Sequence, residues 1–333
     1  MPQLDFMGWN IENFGDTKYK ITNGREELLT FVAEVIIKNN VAVAGFSEIR
    51  SNRAEEIGKT LVAILDRGTS GVWAFKKSDQ FVSNRLEQYL FVWDTNQVNA
   101  GVFQHKFVDT KATKQGALIG FPRQATKDRP PYLTIFTSTA TPLITVSTVI
   151  FHAPEPSFAL NVNDGCKRLA DIVEINNATE ASIVMGDFNV KSVAKQSING
   201  SPGNKAFSAI VAKGFIQALD DPTHTDTVLT SLKTYGKASN NMTASCYQSQ
   251  PYDHIFVRLP TPNQHTIVQR DAGADELISD CLGGSDLGIL LKALENKRNG
   301  RAPNIYTSVA SAFVPFRRFV SDHLPVLVTL KWT

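Results

Sequence analysis

Ser182-Ile183-Val184-Met185-Gly186-Asp187-Phe188-Asn189 is the stretch on which the fold turns. Ser182 to Met185 reads as a short buried strand, and the chain leaves it through a carboxylate and an amide. The same ending recurs outward from this point. The run Leu4 to Trp9 stops at Asn10, and Val41 to Phe46 stops in Ser47-Glu48. The run Gln88 to Trp93 begins at Glu87, and Leu143 to Phe151 ends at His152. Tyr252 to Val257 carries Asp253-His254, and the terminal strand, Pro325 to Lys331, is entered through Ser321-Asp322-His323. Apolar strands that repeatedly stop on such groups line one rim of a sheet with polar side chains, and a ligand crevice is the commonest use of that rim.

Between these strands the spacing predicts helices. Leu28, Phe31, Val32, Val35 and Ile36 fall at i, i+3, i+4, i+7 and i+8 of a helix from Arg25 to Asn39. A second helix is expected behind Asn52, with Glu55 completing a capping box. Others are expected over Phe158 to Asn177 and Leu287 to Asn299, the latter stopped by Gly300. Gly71 to Phe75 and Tyr132 to Thr137 are further β-branched and aromatic strands without helices between them, as antiparallel pairing requires. Strands in both halves with helices outside them predict two sheets packed face to face between helical layers.

The 333 residues contain no linker or low-complexity tract, so one domain over 1–333 is expected, with insertions near 105–129 and 260–312. A hydrophobic fraction of 42% and a charged fraction of 20% are those of a globular protein, which excludes disordered and fibrous classes. Net charge is only +2, so any anion-binding surface must be local. The first insertion is the one strongly basic tract, with Lys106, Lys111, Lys114, Arg123, Lys127 and Arg129. Three widely spaced cysteines argue against a disulfide framework or a zinc site. No apolar run is long enough for a membrane span, and no secretory signal opens the sequence, so a cytoplasmic location is the default expectation.

The residue types at the strand ends specify the chemistry. Glu48, Asp187 and Asp322, with Asn10 and Asn189, are hard oxygen donors suited to Mg²⁺ or Mn²⁺. His152 and His323 among them suit proton transfer, and Glu87 and Asp253 are available to orient them. Taken singly, each has an ordinary alternative. An Asp or Asn after a strand commonly caps a turn, His152 fits a strand-end histidine, and Glu87 fits a surface ion pair.

As a set, these pieces resemble the endonuclease/exonuclease/phosphatase superfamily, and within it the deoxyribonuclease I-like nucleases. The matching segments are Trp9 to Lys18, Ser47-Glu-Ile-Arg50, Glu87 to Phe91, Phe151-His-Ala-Pro154, Met185-Gly-Asp-Phe-Asn189, Tyr252-Asp-His-Ile255 and Ser321-Asp-His-Leu-Pro-Val326. The resemblance implies an α/β fold, a four-layer α/β/β/α sandwich of two mainly antiparallel sheets, with Mg²⁺ at the cleft. It implies Glu48 and Asn10 at the metal, with Asp187, Asn189 and Asp322 across the scissile phosphate. His152 and His323 become the acid–base pair, supported by Glu87 and Asp253 respectively. Arg50 matches an arginine that reads the DNA minor groove, and Arg129 a phosphate-contacting arginine, a role for which Arg123 competes. His254 departs from the pattern, since the secreted deoxyribonucleases usually carry Arg there.

The expected activity is Mg²⁺-dependent hydrolysis of DNA by an endonuclease, with nucleic acid as partner and neither a membrane nor a protein partner implied. A sphingomyelinase or inositol-phosphate phosphatase is the alternative within the superfamily. Ile289 to Leu294 is the one apolar helix segment that would favour it. A non-catalytic binding protein is the third possibility, and no expected catalytic position is substituted to support it.

Overall fold

The computed structural model describes every residue except 15–24, 51–52, 80–86, 106–129, 154–165, 191–206, 220–229, 233–251, 261–264, 270–273 and 301. The chain runs through β1 (Gln3–Phe14), α1 (Arg25–Lys38), β2 (Val43–Ile49), α2 (Ala54–Gly68), β3 (Trp73–Lys77) and β4 (Gln88–Asp94). Then come β5 (Val98–Ala100), β6 (Gln104–His105), β7 (Tyr132–Ser138), β8 (Thr145–His152) and β9 (Ala181–Asp187). α3 (Ser208–Ala212), β10 (Ile216–Gln217), β11 (Asp253–Arg258), β12 (His265–Gln269), α4 (Ala274–Ser279), α5 (Asp286–Asn299), α6 (Val309–Phe319) and β13 (Val326–Trp332) complete it.

The strands form two sheets, ordered β12-β13-β1-β2-β4-β3 and β10-β11-β9-β8-β7-β5, with β6 also paired to β7. Each sheet holds one parallel pair at its centre, β1 with β2 and β8 with β9, and its other pairings are antiparallel. The second sheet shows why its strands are apolar on both faces. Ile183, Met185, Ile255 and Val257 belong to the core shared with the first sheet and helices α1, α2, α5 and α6. The intervening Val184 and Phe256, with Phe151 and Val149, join a separate core on the far side with Leu169, Phe188, Phe207 and Ile210. Alternation with period 2 thus feeds two cores from one sheet, which gives the α/β/β/α layering. The sheets approach closely at Gly45, where a Cβ would lie 2.7 Å from Met185 Cε.

In α1, Glu26 and Glu27 open the helix and Lys38 closes it, each complementing the macrodipole. Its predicted apolar stripe is buried throughout. Other expectations are corrected. α2 is capped at Arg53, whose guanidinium pairs with Glu56, with no side-chain cap bond; Asn52 lies outside the described residues. Of the helix expected over 158–177, helical conformation is described only at 166–169, with a 3₁₀ turn at Glu174–Asn176. The turn is fixed by Asn176, whose amide reaches back to the carbonyls of Ala170 and Ile172.

The second expected insertion contributes β12 to the edge of the first sheet and packs α5 against α1. Leu287, Leu291 and Leu294 of α5 are buried in the shared core, which leaves Ile289 exposed. α6 carries Pro315 in its interior and opens with a capping box formed by Ser308 and Ser311. The sequence does not advertise this box, because a serine stands where Glu or Gln usually closes it. Among the described residues, no helix is long and apolar enough to cross a membrane.

Candidate active site

The two parallel pairs end side by side, and this positions the polar residues. In the second sheet His152 pairs with Asp187, and Asp187 pairs with Asp253, so three polar residues share one row across β8, β9 and β11. Gly186 holds this row together. Its φ is +137°, and a side chain there would land on the Phe151 carbonyl oxygen, so only glycine lets β9 lie this close to β8. Just beyond, Asn189 donates its backbone N–H to Asp187 Oδ1 at 2.8 Å and its amide to the Ala153 carbonyl at 3.1 Å.

In the first sheet Asn10 pairs with Ser47, after which the register slips and Glu48 adopts φ +59°. Asn13 (φ +51°) donates its N–H to Glu48 Oε2 at 3.0 Å. Of four described non-glycine residues at positive φ, three (Asn13, Glu48 and Asn189) lie at this rim. Each such conformation costs about 1–3 kcal/mol, so backbone strain is concentrated where the carboxylates are aimed. Asn10 joins the two sheets, its Nδ2 donating to Asp187 Oδ2 at 2.9 Å and to Glu48 Oε1 at 3.3 Å.

Two histidines converge on the same oxygen. His152 Nε2 lies 3.6 Å and His323 Nε2 3.7 Å from Asp187 Oδ2. On the other ring nitrogen, His152 Nδ1 is 3.4 Å from Glu87 Oε2, and His323 Nδ1 is 2.7 Å from Asp253 Oδ2. The expected pairings, Glu87 with His152 and Asp253 with His323, are therefore brought together. Burial by itself would lower the His323 pKa, but Asp253 and Asp187 outweigh it and raise the imidazole well above its ordinary value. Burial raises the pKa of Asp187, against the lowering influence of His323 and His152. Asp253, Asp187 and Asp322 all face His323 and favour its imidazolium form.

Residues outside the predicted set hold these rings. The Tyr89 hydroxyl accepts from the His152 backbone N–H at 2.9 Å. Thr230, wholly buried, donates to Asp253 Oδ2 at 2.7 Å. Ser321 Oγ donates to the Asn10 carbonyl at 2.8 Å and accepts from the His323 N–H at 3.0 Å. Tyr89 and Ser321 stand inside the motifs already quoted, whereas no pattern in the sequence points to Thr230.

Arg50 lies among the carboxylates, 3.5 Å from Glu87 Oε1 and 3.6 Å from Glu48 Oε2. Asp322 reaches the edge of the group, its Oδ1 3.8 Å from His323 Nε2. Arg129, its competitor Arg123 and the basic tract 106–129 lie outside the described residues.

With this geometry, similar solved structures are informative. The endonuclease/exonuclease/phosphatase family protein from Bacteroides thetaiotaomicron aligns with a TM-score of 0.56 at 14% identity, covering 100% of this chain and 98% of that one. The fold is that of the endonuclease/exonuclease/phosphatase superfamily. The D. rerio TDP2 structure complexed with a single strand DNA product aligns at TM-score 0.52 and 11% identity, over 99% of this chain and all of that one. The human Nocturnin catalytic domain with a bound sulfate anion aligns at 0.56 and 10%, over 100% and 95% of the two chains. No family model and no curated protein matches the sequence itself. At these identities the endonuclease/exonuclease/phosphatase likeness concerns the fold, and the site must be argued from its own atoms.

On this endonuclease/exonuclease/phosphatase fold the donor set fits a hard divalent cation. Ligand atoms of Glu48, His152 and Asp187 lie within 4.8 Å of one another. Beside them Asn10 Oδ1 is buried without a hydrogen-bond donor among the described residues. Asp187, Asp253 and His323 form a second such group. There Asp253 Oδ2 is already paired with His323, so Glu48 of the first group, with Asn10 beside it, is the better cation seat.

His254 is not part of the site. It is buried, with Nε2 2.9 Å from the Val190 carbonyl and Nδ1 2.6 Å from Gln217 Nε2, and its ring packs on Phe188, Phe207 and Phe256. Burial lowers its pKa to about 4, so the ring is neutral, with Nε2 donating and Nδ1 accepting. The unfolded chain binds a proton near pH 6.5, whereas the folded chain resists it until about pH 4. Folding stability is therefore expected to fall by about 3 kcal/mol as pH drops through this window, and to level off below it. Urea midpoints measured against pH would show the slope, and His254→Gln should lack that contribution whatever its absolute stability.

Proposed function

We propose that this chain is a divalent-metal-dependent phosphodiesterase that hydrolyses DNA endonucleolytically, with Mg²⁺ as the cofactor and Mn²⁺ as a substitute. One observation carries the reading: two histidines face the same Asp187 oxygen, each with a buried carboxylate at its other nitrogen. A water to be activated and a leaving oxygen to be protonated lie on opposite sides of a phosphorus, and two opposed, separately oriented imidazoles match that demand.

In this reading His323, held as an imidazolium by Asp253, stabilises or protonates the leaving oxygen. His152, oriented by Glu87, takes the proton of the attacking water. Glu48 and Asn10 would hold the cation, with Asp187, Asn189 and Asp322 on the other side of the phosphate. When bound, the metal supplies charge neutralisation on the phosphoryl oxygens. Arg50 is the proposed groove contact and Arg129 the proposed phosphate contact. DNA as substrate draws support from the resemblance of the motifs to deoxyribonucleases, and from a site with an arginine placed beside its carboxylates.

Supercoiled plasmid should be nicked in Mg²⁺, protected by excess EDTA, and nicked again when Mg²⁺ or Mn²⁺ is restored above the chelator. Nicking that persists in EDTA would refute the metal requirement. Phosphate release from inositol phosphates without plasmid cleavage would move the substrate to the phosphatase alternative. Leu287, Leu291 and Leu294 of α5 are taken up by the core, which leaves chiefly Ile289 for a membrane-lipid substrate.

A further inference from the structure

The charged groups of the site form a branched network, and one path through it joins two arginines. From Arg50, contacts of 3.5 Å to Glu87, 3.4 Å to His152 and 3.6 Å to Asp187 lead to the centre. From Asp187 they continue at 3.7 Å to His323, 3.8 Å to Asp322 and 3.7 Å to Arg317. Along this path cationic or proton-bearing groups alternate with carboxylates, while Glu48 branches to His152 at 3.4 Å and Asp253 to His323 at 2.7 Å. One terminus, Arg50, is expected from the sequence. The other, Arg317, is not.

Arg317 comes from the last turn of α6, beside Arg318. A helix C-terminus attracts basic residues for its dipole alone. The two arginines differ, however. Arg318 is exposed and lies over the ring of its neighbour Phe319. Arg317 is turned toward Asp322, with its side chain 22% exposed. That contact uses one nitrogen at 3.7 Å, too long for a hydrogen bond and far from a two-pronged carboxylate grip. Its Nε is buried with no acceptor among the described residues. A guanidinium has five N–H donors and Asp322 engages it loosely, so most of its capacity for a planar oxyanion is unused.

We infer that Arg317 is a phosphate-binding residue at the end of the site opposite Arg50, and that the substrate is a strand carrying phosphates on both sides of the bond that is cut. This rests on the phosphodiesterase reading and adds to it a residue that would contact a phosphate beside the one that is cut. With the reacting phosphate between the two histidines, Asp322 stands between it and Arg317, which would meet a phosphate next to the one that is cut. A free phosphodiester without neighbours would not use Arg317.

The test compares a short oligonucleotide with bis(p-nitrophenyl) phosphate, which has no flanking phosphate, using wild type, Arg317→Gln and Arg317→Lys in Mg²⁺. In Arg317→Gln the ratio of kcat/KM on the oligonucleotide to that on the small diester should fall about tenfold, the loss expected of one charged phosphate contact. The salt dependence of oligonucleotide kcat/KM should lose roughly 0.7–0.9 of a log unit per log unit of salt, the share of one phosphate contact. Arg317→Lys should keep that salt slope and recover part of the rate. An equal fall on both substrates would overturn the inference and leave Arg317 as a support for Asp322. No change in the ratio or the salt slope would overturn it as well. Hydrolysis of neither substrate by the wild type would refute the phosphodiesterase reading beneath it, and that outcome is seen before any variant is compared.

Discussion

Phosphodiester cleavage is expected to slow by roughly 10²–10⁴-fold when His152 is replaced by alanine, with the fold retained. The backbone N–H of residue 152 can keep its bond to the Tyr89 hydroxyl, and Glu87 still has Arg50 nearby. His323→Ala should slow cleavage by a comparable factor and also destabilise the protein. Asp253 is buried, and His323 is its charge partner at 2.7 Å. Removing one member of a buried pair strands the other, at about 3–5 kcal/mol. The two effects separate in the double variant His323→Ala/Asp253→Asn, where the stranded charge is gone. Urea midpoints should recover toward the wild type while the rate stays low. Initial rates on plasmid and on bis(p-nitrophenyl) phosphate, taken with far-ultraviolet circular dichroism, measure both. Wild-type rates in both single histidine variants would sink the proposed chemistry.

Gly186→Ala is expected to cost about 4 kcal/mol or more, the range reserved for backbone conflicts that cannot relax. Two penalties coincide there. A φ of +137° is one that side-chain-bearing residues rarely adopt, and the added Cβ meets the Phe151 carbonyl oxygen of the paired strand. Relief would require β8 and β9 to part at the row that carries His152 and Asp187. Activity should therefore fall with stability. Gly283 is the control, with φ +66° but nothing within 4 Å of a methyl group added there. Alanine at that position should cost only about 1 kcal/mol, the conformational part alone. Equilibrium unfolding of both variants makes the comparison, and a Gly186→Ala protein as stable as Gly283→Ala would show that the strands can shift after all.

Much of this architecture is local and is written in the spacing of the residues. Leu28, Phe31, Val32, Val35 and Ile36 declare a helix because 3.6-residue spacing gathers them on one face, and all are buried. Ala181–Asp187 declares a buried strand, as both of its faces meet apolar cores. What is not legible has equally physical causes. Pro315 hides α6, although the apolar residues around the proline bury the helix against α5 and the sheet. β12 is hidden because an edge strand is recognised by its partner β13, and that partner lies far along the chain. Thr230 is hidden because a buried threonine becomes informative only when the carboxylate it holds is known.

The sharpest division lies in two identical dipeptides, Asp253-His254 and Asp322-His323. The sequence by itself determined that carboxylates, amides and imidazoles cluster at strand ends, and hence which chemistry the rim can perform. It could not determine, from either dipeptide, which histidine is chemical and which is core. Within a strand successive side chains face opposite sides, so Asp253 turns to the site while His254 turns into the Phe188, Phe207 and Phe256 cluster. The histidine that meets Asp253 is His323, 70 residues on, carried there by a loop ahead of the terminal strand. Residue type is a local property, but burial and partnership come from sheet packing, and only the tertiary structure separates a neutral core imidazole from a charged one facing Asp187.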